Sequence, residues 1–243
     1  MRFPIIEGVI RRRILVNFRV DPKFVRAVLP APLRPQLVGG AAQAGICLIR
    51  LERLRVAGLP AAFGFASENA AHRIAVEWDA GGGVESGVYI PRRDTSSLIG
   101  RLAGGRLFPG QHHAARFDVA DDGREIAFTM TSRDAGTTIE LRARSVATLS
   151  PTSSFPSLAT ASTFLQRGSL GYSPTGAEYL DGVRLVTRTW NLQPLEVEKV
   201  RSSYFGDVTR FPPGSVELDS VLVMRDTESR WLPLPRLPLA RAC

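Results

Sequence analysis

The chain has 243 residues, of which 44% are hydrophobic and 22% charged, as in ordinary globular proteins. This composition excludes wholesale disorder, and no apolar run approaches the ~20 residues of a transmembrane helix. The formal net charge of +8 invites a nucleic-acid interpretation. However, the basic residues are mostly scattered arginines without interleaved aromatic residues, so a nucleic-acid partner is disfavoured.

The first part of the chain alternates in the manner of β-strands. Strands are predicted from Ile10 to Val20, from Ala44 to Val56 and from Ser67 to Trp78. In the third of these, Ala71, Arg73, Ala75 and Glu77 share one face, and His72, Ile74, Val76 and Trp78 share the other. Between the first two strands, the pair Asp21-Pro22 predicts a short helix, with Asp as its N-cap and Pro at its first position.

The stretch from Ser86 to His113 carries the most suggestive charge pattern. The residues from Ser86 to Ile90 predict a strand that Pro91 ends. Asp94 is the predicted N-cap of a helix that presents Leu98, Ile99 and Leu102. Arg92 and Arg93 would then lie between a strand end and a helix N-terminus, an arrangement that favours an anion or a carboxylate.

The remaining segments predict further strands and one more helix. A meander is expected from its three alternating segments and its two Asp/Gly turns, namely 115–119, 125–132 and 138–146. Further strands are predicted at 177–191, 195–204 and 216–225, and a helix at 159–167. The proline-rich tail from Trp231 is expected to lie extended over the surface. Many short strands at hairpin spacing favour an antiparallel barrel or two packed sheets in a single domain spanning residues 1–243.

Candidate chemical groups are few. His112 and His113 are adjacent on a predicted strand and would point to opposite faces, and no histidine spacing supports a metal site. Cys47 lies in an apolar run and is interpreted as a small buried hydrophobic residue. No nucleotide-binding motif or hydrolase elbow is present, so no cofactor and no metal are expected. Lys199 would share a strand face with Leu195 and Val197; it could be a nucleophile, or it could reach solvent or pair with a glutamate.

Three sets of residues together give the sequence a family resemblance. They are VDPKFVRAVLPAPLRP near the start, ENAAHRIAVEW followed by GVYIPRR, and GYSPTGAEYLDG with FPPGSVELDSVLVMRDTESRW near the end. In this order the chain resembles the acetoacetate decarboxylase-like superfamily, and most closely its uncharacterised bacterial branch. The resemblance implies a mainly β (α+β) fold, an antiparallel cone-like β-barrel with a central pocket and a few short flanking helices. It also implies a homo-oligomer.

The resemblance places arginines where the decarboxylases have reactive lysines. In those enzymes a strand ends in a lysine pair, and one lysine forms an imine with the ketone substrate. The matching positions here are Arg92 and Arg93, and a guanidinium is a very poor nucleophile. The imine mechanism therefore does not transfer, although a cationic floor for a carboxylate or enolate could survive. Glu68 is the approximate counterpart of a glutamate that precedes the lysine strand.

One functional hypothesis and two alternatives follow from these residues. The protein is expected to bind a small anionic or carbonyl-bearing metabolite, with lyase or isomerase chemistry through an enolate if it is an enzyme. The candidate groups are Glu68 and His112 for acid/base work, with Arg92, Arg93, Tyr89 and His72 for substrate binding. The main alternative is a non-catalytic ligand-binding or scaffold protein; a nucleic-acid-binding surface is the third. The early charges in MRFPIIEGVIRRR argue against a secretory signal, so a cytoplasmic protein without a membrane partner is expected.

Overall fold

A computed structural model describes residues 3–97 and 108–240. The helices of these residues are α1 (Pro22–Val28), α2 (Leu158–Arg167) and a short 3-10 helix (Ala61–Phe63). Their strands are β1 (Ile6–Val20), β2 (Arg34–Pro35), β3 (Leu37–Val38), β4 (Ala41–Val56), β5 (Phe65–Ala80), β6 (Gly83–Thr95), β7 (His112–Asp121), β8 (Glu125–Ser132), β9 (Thr138–Ser145), β10 (Leu170–Pro174), β11 (Tyr179–Thr187), β12 (Gln193–Ser202) and β13 (Val216–Pro238).

The strands form a 13-stranded sheet that closes on itself in two ways. One ring runs from β13 through β1, β4, β5, β6, β7, β8, β9 and β12 back to β13. A second ring leaves the first at β6 and returns through β10 and β11 to β13. The mainly β prediction is confirmed. The pairings of β6 with β7 and with β10 are parallel, so the sheet is mixed rather than purely antiparallel.

Strands β13, β1, β4, β5 and β6 belong to both rings and separate two interiors. On β1, Ile14 and Val16 enter the large hydrophobic core of the first ring, whereas Leu15 packs on the opposite side, against α2. Residues 42–48 of β4 are likewise buried without interruption. A strand that is covered on both faces requires a nearly continuous apolar run, which is what this segment of β4 shows.

Several predicted elements are confirmed. The meander is present as β7, β8 and β9, and the burial of β8 alternates strictly along its length. Helix α1 begins after Asp21, whose side chain accepts a hydrogen bond from the Lys23 N–H. Helix α2 begins after Ser157, which caps the Thr160 N–H.

The prediction that Pro91 ends a strand is wrong, and so is the prediction that Arg92 and Arg93 lie between a strand end and an N-cap at Asp94. Strand β6 continues through Pro91 to Thr95, because the register between β5 and β6 shifts at this point and no ladder bond from Pro91 is needed. Asp94 is a fully buried strand residue rather than an N-cap. The predicted helix residues Leu98, Ile99 and Leu102 lie outside the described residues.

The proline-rich tail is a strand rather than a loose surface segment. Beyond Trp231, strand β13 no longer pairs with β1 and continues as the partner of β11, with Pro233 opposite Val183 and Pro238 opposite Tyr179. A strand with one neighbour tolerates proline because the missing N–H can lie on its open side. This pairing closes the second ring.

None of the described helices has the length and hydropathy of a membrane-spanning segment. The single domain over residues 1–243 stays a prediction.

His72 lies in the core of the first ring. It is fully buried, its ring centroid is 4.5 Å from that of Tyr204, and neither ring nitrogen has a hydrogen-bond partner among the described residues. Burial, with smaller contributions from the charges of Arg92 and Arg210, lowers the pKa of His72 to about 3. His72 therefore stays neutral in the folded protein at pH values where the unfolded chain binds a proton.

We predict that in His72→Phe the free energy of unfolding falls less steeply than in the wild type as pH is lowered from 6.5 to 4. Between pH 6.5 and pH 4 the unfolded histidine binds a proton that the folded one does not, so the free energy of unfolding falls as pH falls. The loss is about 1.4 kcal/mol per pH unit for each such histidine. Urea denaturation from pH 4 to 8 measures the difference between variant and wild type. Parallel curves for the two proteins would contradict the prediction.

Candidate functional site

A cavity of about 130 Å³ lies inside the second ring. Its described lining residues come from most strands of that ring and from the ends of the neighbouring connections: Arg13, Cys47, Ile49, Leu51, Leu54, Phe65, Ser67, Asn69, Ala70, Ala71, Arg73, Val88, Ile90, Arg93, Asp94, Thr95, Ser97, Phe108, His112, Gly168, Ser169, Gly171, Val183, Leu185 and Trp231. The volume is below the ~300–1,000 Å³ of drug-sized sites. The cavity therefore suits a small metabolite.

Strand alternation decides which side chains reach the cavity. On β5, the odd-numbered residues Asn69, Ala71 and Arg73 line it, whereas His72 and Ile74 point into the core of the first ring. The sequence predicts that Ala71 and Arg73 share one face of β5 and that His72 and Ile74 share the other. In the structure the first pair faces the cavity and the second pair faces the core of the first ring.

Two arginines of the shared strands are buried at the cavity wall. Arg13 and Arg73 are each 7% exposed. Arg13 Nε donates to the Cys47 sulfur at 3.2 Å, and its guanidinium lies over the Trp190 ring at 5.5 Å. Arg73 Nη2 donates to the Asn17 side-chain oxygen. Among the described residues neither guanidinium has a carboxylate partner, and Arg13 Nη1 and Arg73 Nε have no hydrogen-bond partner.

Arg93 is the third cation of the cavity. Its Nε and Nη2 donate to the Ser173 hydroxyl at 3.3 and 3.2 Å, and no carboxylate of the described chain pairs with it. Burial lowers the pKa of Arg93 to about 10 and that of Arg73 to about 10. Both groups remain charged at neutral pH. The cavity therefore holds three positive charges that the described chain does not neutralise.

Asp94, the one carboxylate among the described lining residues, already has hydrogen-bond partners inside the protein. Asp94 accepts two hydrogen bonds from Arg92, at 2.9 and 3.0 Å, and one from Thr137 at 3.2 Å. Arg92 also donates to Ser132 and Asp134. The hydroxyl of Ser132 and the charge of Arg92 hold the pKa of Asp134 well below its usual range. Arg92 is thus part of a closed ion-pair network and does not line the cavity.

The other end of the cavity is apolar. Strand β4 runs from Cys47 through Ile49 to Leu51 and Leu54, and each step of two residues covers about 7 Å. A hydrophobic cluster surrounds this end, formed by Ile6, Ile10, Leu51, Leu54, Val183 and Trp231, with Phe65, Phe108 and Leu185 packed against it. The cavity is therefore cationic near Cys47 and apolar near Trp231.

The two adjacent histidines lie in different environments. His112 lines the cavity, and its Nδ1 is buried without a partner among the described residues. Burial, with a smaller contribution from the charge of Arg93, lowers the pKa of His112 to about 3, so the imidazole is neutral at pH 7. His113 instead contacts Asp134 at 2.7 Å. A neutral His112 can donate or accept a hydrogen bond but is a weak base.

The remaining sequence-predicted site residues lie away from the cavity. Glu68 accepts a hydrogen bond from Arg12 at 2.8 Å, and burial raises the pKa of Glu68 above its ordinary value. Tyr89 and His72 are buried in the core of the first ring. Of the six sequence-predicted residues, the structure therefore brings Arg93 and His112 together at one cavity.

Neither lysine of the chain lines the cavity. Lys199 Nζ contacts Glu140 at 2.7 Å and is 39% exposed, and Lys23 lies on α1. Within residues 3–97 and 108–240 no group of three or more His, Cys, Asp or Glu side chains could hold a metal ion.

Sequence reasoning missed Arg13 and Arg73 as site residues. The sequence does indicate the direction of Arg73, because strand alternation puts Arg73 on the face of β5 that His72 does not occupy. Arg13 belongs to a run of three arginines, Arg11, Arg12 and Arg13, which has apolar residues on both sides. No feature of the sequence distinguishes the one that faces the cavity.

The chain matches the model of the family DUF2071, described as an uncharacterized conserved protein, over residues 9–222. No curated protein matches it.

Solved structures share the fold at low sequence identity. Acetoacetate decarboxylase from Legionella pneumophila aligns with a TM-score of 0.62 and 10% identity over 98% of this chain and 87% of the other. An acetoacetate decarboxylase-like enzyme from Sphingomonas wittichii gives 0.61 and 16%, over 98% and 93%. The enduracididine biosynthesis enzyme MppR in complex with pyruvate gives 0.61 and 12%, over 99% and 91%. This chain belongs to the DUF2071 family and has the acetoacetate decarboxylase-like fold.

Proposed function

We propose that the protein binds a small carboxylate with an apolar body in the cavity of the second ring. One observation carries this proposal: Arg13, Arg73 and Arg93 border a buried space without a carboxylate of the described chain to pair with them. A buried charge without a partner costs several kcal/mol. A ligand carboxylate that accepts hydrogen bonds from these groups would offset that cost.

The apolar end sets the shape of the ligand. A carboxylate that pairs with the arginines near Cys47 would extend its body along β4 toward Leu51 and Trp231. The cavity volume restricts that body to a few carbon atoms. The structural similarity to MppR in complex with pyruvate supports a small 2-oxo acid as one member of this class.

If the protein is an enzyme, enolate chemistry without an imine fits the residues of the cavity. The arginines would stabilise negative charge as it develops on a carbonyl oxygen, and His112 would supply a hydrogen bond from a neutral ring. Both lysines lie away from the cavity, so no lysine amine is available there for an imine. The roles first assigned to Arg92, Glu68, Tyr89 and His72 are not part of this proposal.

The non-catalytic alternative makes the same cavity a ligand-binding site only. It is favoured by the low pKa of His112, which makes this residue a weak base. Isotope exchange distinguishes the two. Loss of deuterium from C3 of a bound 2-oxo acid indicates enolate formation, and binding without exchange indicates a binding protein.

We also propose a cytoplasmic location and a homo-oligomer. The free thiol of Cys47 suits a reducing compartment. The exposed Leu59 and Phe63 on the β4–β5 connection offer apolar surface to a second copy.

We predict that straight-chain carboxylates bind more tightly as they lengthen from acetate to butanoate. Each methylene buried at the apolar end contributes about 0.8 kcal/mol, or about fourfold in Kd. Titration calorimetry measures the series, with butanamide as the uncharged control. Equal affinity for butanoate and butanamide would contradict the role of the arginines.

We predict opposite effects for two adjacent arginines. Arg93→Met removes a part-buried cation that donates to the Ser173 hydroxyl and has no carboxylate partner in the described chain, so unfolding of the free protein should become no easier while butanoate binding weakens about tenfold to a hundredfold. Arg92→Met breaks the pairs with Asp94 and Asp134, so it should lower the free energy of unfolding by about 3 kcal/mol or more.

Urea denaturation and calorimetry on both variants measure these effects. Arg34→Met is the matched control, because Arg34 carries the same charge and pairs with Glu77 and Asp79 away from the cavity. Unchanged butanoate affinity in Arg93→Met would exclude Arg93 from the site.

We predict that borohydride does not trap a 2-oxo acid on this protein. The measurement is intact-mass analysis after incubation with pyruvate and borohydride. A reduced adduct on Lys199 would show that an imine forms and would contradict the proposed chemistry.

A further inference from the structure

Cys47 occupies an unusual position for a buried thiol. It lies on β4 at the cationic end of the cavity and is 8% exposed. Its sulfur accepts a hydrogen bond from Arg13 Nε at 3.2 Å. A cysteine that acted only as a small hydrophobic residue would need no cation beside it. Reactive cysteines, in contrast, are found in electropositive and partly accessible surroundings.

A second observation points to a ligand at this sulfur. Arg13 and Arg73 are both more than nine-tenths buried at the cavity wall, and each keeps a buried nitrogen without a partner among the described residues. The β-sheet register places Cys47 opposite Leu15 of β1 and Ala71 of β5. Arg13 is two residues from Leu15, and Arg73 is two residues from Ala71. Both arginines are therefore diagonal neighbours of Cys47 on the same face of the sheet, one on each neighbouring strand.

This placement sets the distance between a ligand's carboxylate and the sulfur. Diagonal neighbours in a sheet lie about 7–8 Å apart at their backbones, within reach of a long side chain. A carboxylate held by Arg13 and Arg73 would lie beside Cys47, so the carbon attached to that carboxylate is the one nearest the sulfur. In a 2-oxo acid this carbon is an electrophilic carbonyl.

We propose that Cys47 is a nucleophile that adds reversibly to C2 of a 2-oxo carboxylate bound in the cavity; this inference rests on the proposed function. The bond between Sγ and C2 forms, the carbonyl π electrons move to the oxygen, and the thiol proton ends on that oxygen. The product is a hemithioketal, and no other reactant is required. The arginines hold the carboxylate while C2 becomes tetrahedral.

Alkylation with iodoacetate tests the geometry, because its reactive carbon is also attached to a carboxylate. The Sγ–C bond forms, the C–I bond breaks and iodide leaves. The protein is the Cys243→Ser variant, in which Cys47 is the sole thiol. We expect the ratio of iodoacetate to iodoacetamide rate constants to be at least tenfold higher than for a free small thiol. Butanoate should slow the iodoacetate reaction.

The charge dependence has a matched pair of variants. Arg13→Met should lower the rate ratio at least tenfold, whereas Arg34→Met, which removes a charge away from the cavity, should leave it unchanged. The comparison of the two reagents on the parent protein needs no arginine variant, so the test stands even if Arg13→Met fails to fold.

Carbon-13 NMR with pyruvate labelled at C2 tests the addition itself. We expect a protein-bound tetrahedral carbon signal that is absent when Cys47 is also replaced by serine. A rate ratio no higher than that of a small thiol, or bound pyruvate without a Cys47-dependent tetrahedral signal, would overturn the inference. Butanoate affinity measured on the same protein distinguishes the two failures: the proposed function fails if butanoate does not bind, whereas the inference about Cys47 can fail while butanoate still binds.

Discussion

Strands β1, β4 and β5 are buried on both faces along their central parts, at residues 12–18, 42–48 and 72–76, and this constraint decides where a charged side chain in these parts can go. Each strand sends alternate residues into the core of the first ring and into the cavity of the second. A polar residue in such a segment is buried whichever face of the strand it occupies. It must find a partner inside the protein, or face a space where a ligand can supply one.

The charges of the shared strands meet this constraint in two ways. Arg12 is neutralised inside the protein, by Glu68 at 2.8 Å and Asp121 at 3.6 Å. Its neighbour Arg13, on the opposite face, has a sulfur and an aromatic ring as partners instead. Adjacent residues in β6 repeat the difference, with Arg92 in an ion-pair network and Arg93 at the cavity. The arginines that face away from the cavity, Arg12 and Arg92, thus form ion pairs, whereas Arg13 and Arg93 at the cavity have no carboxylate partner in the described chain.

Most of the strands and the two α-helices α1 and α2 could be predicted from the sequence, because alternation, Asp/Gly turns and helix caps are local signals. The division of β5 into the Arg73 and His72 faces was also readable. The face that meets the cavity was not, since the second ring is closed by the proline-rich end of β13, a segment that does not resemble a strand. The register shift near Pro91, which decides the directions of Arg92 and Arg93, depends on the pairing with β5 and has no signature within β6.

The most direct test of the central claim is the anomalous diffraction of a crystal soaked in sodium bromide. Bromide is a spherical monatomic anion, so its position depends on positive charge rather than on the shape of the cavity. Our account predicts a bromide peak in the cavity, between the guanidinium groups of Arg13, Arg73 and Arg93. Bromide peaks on the surface of the protein with none in the cavity would contradict it.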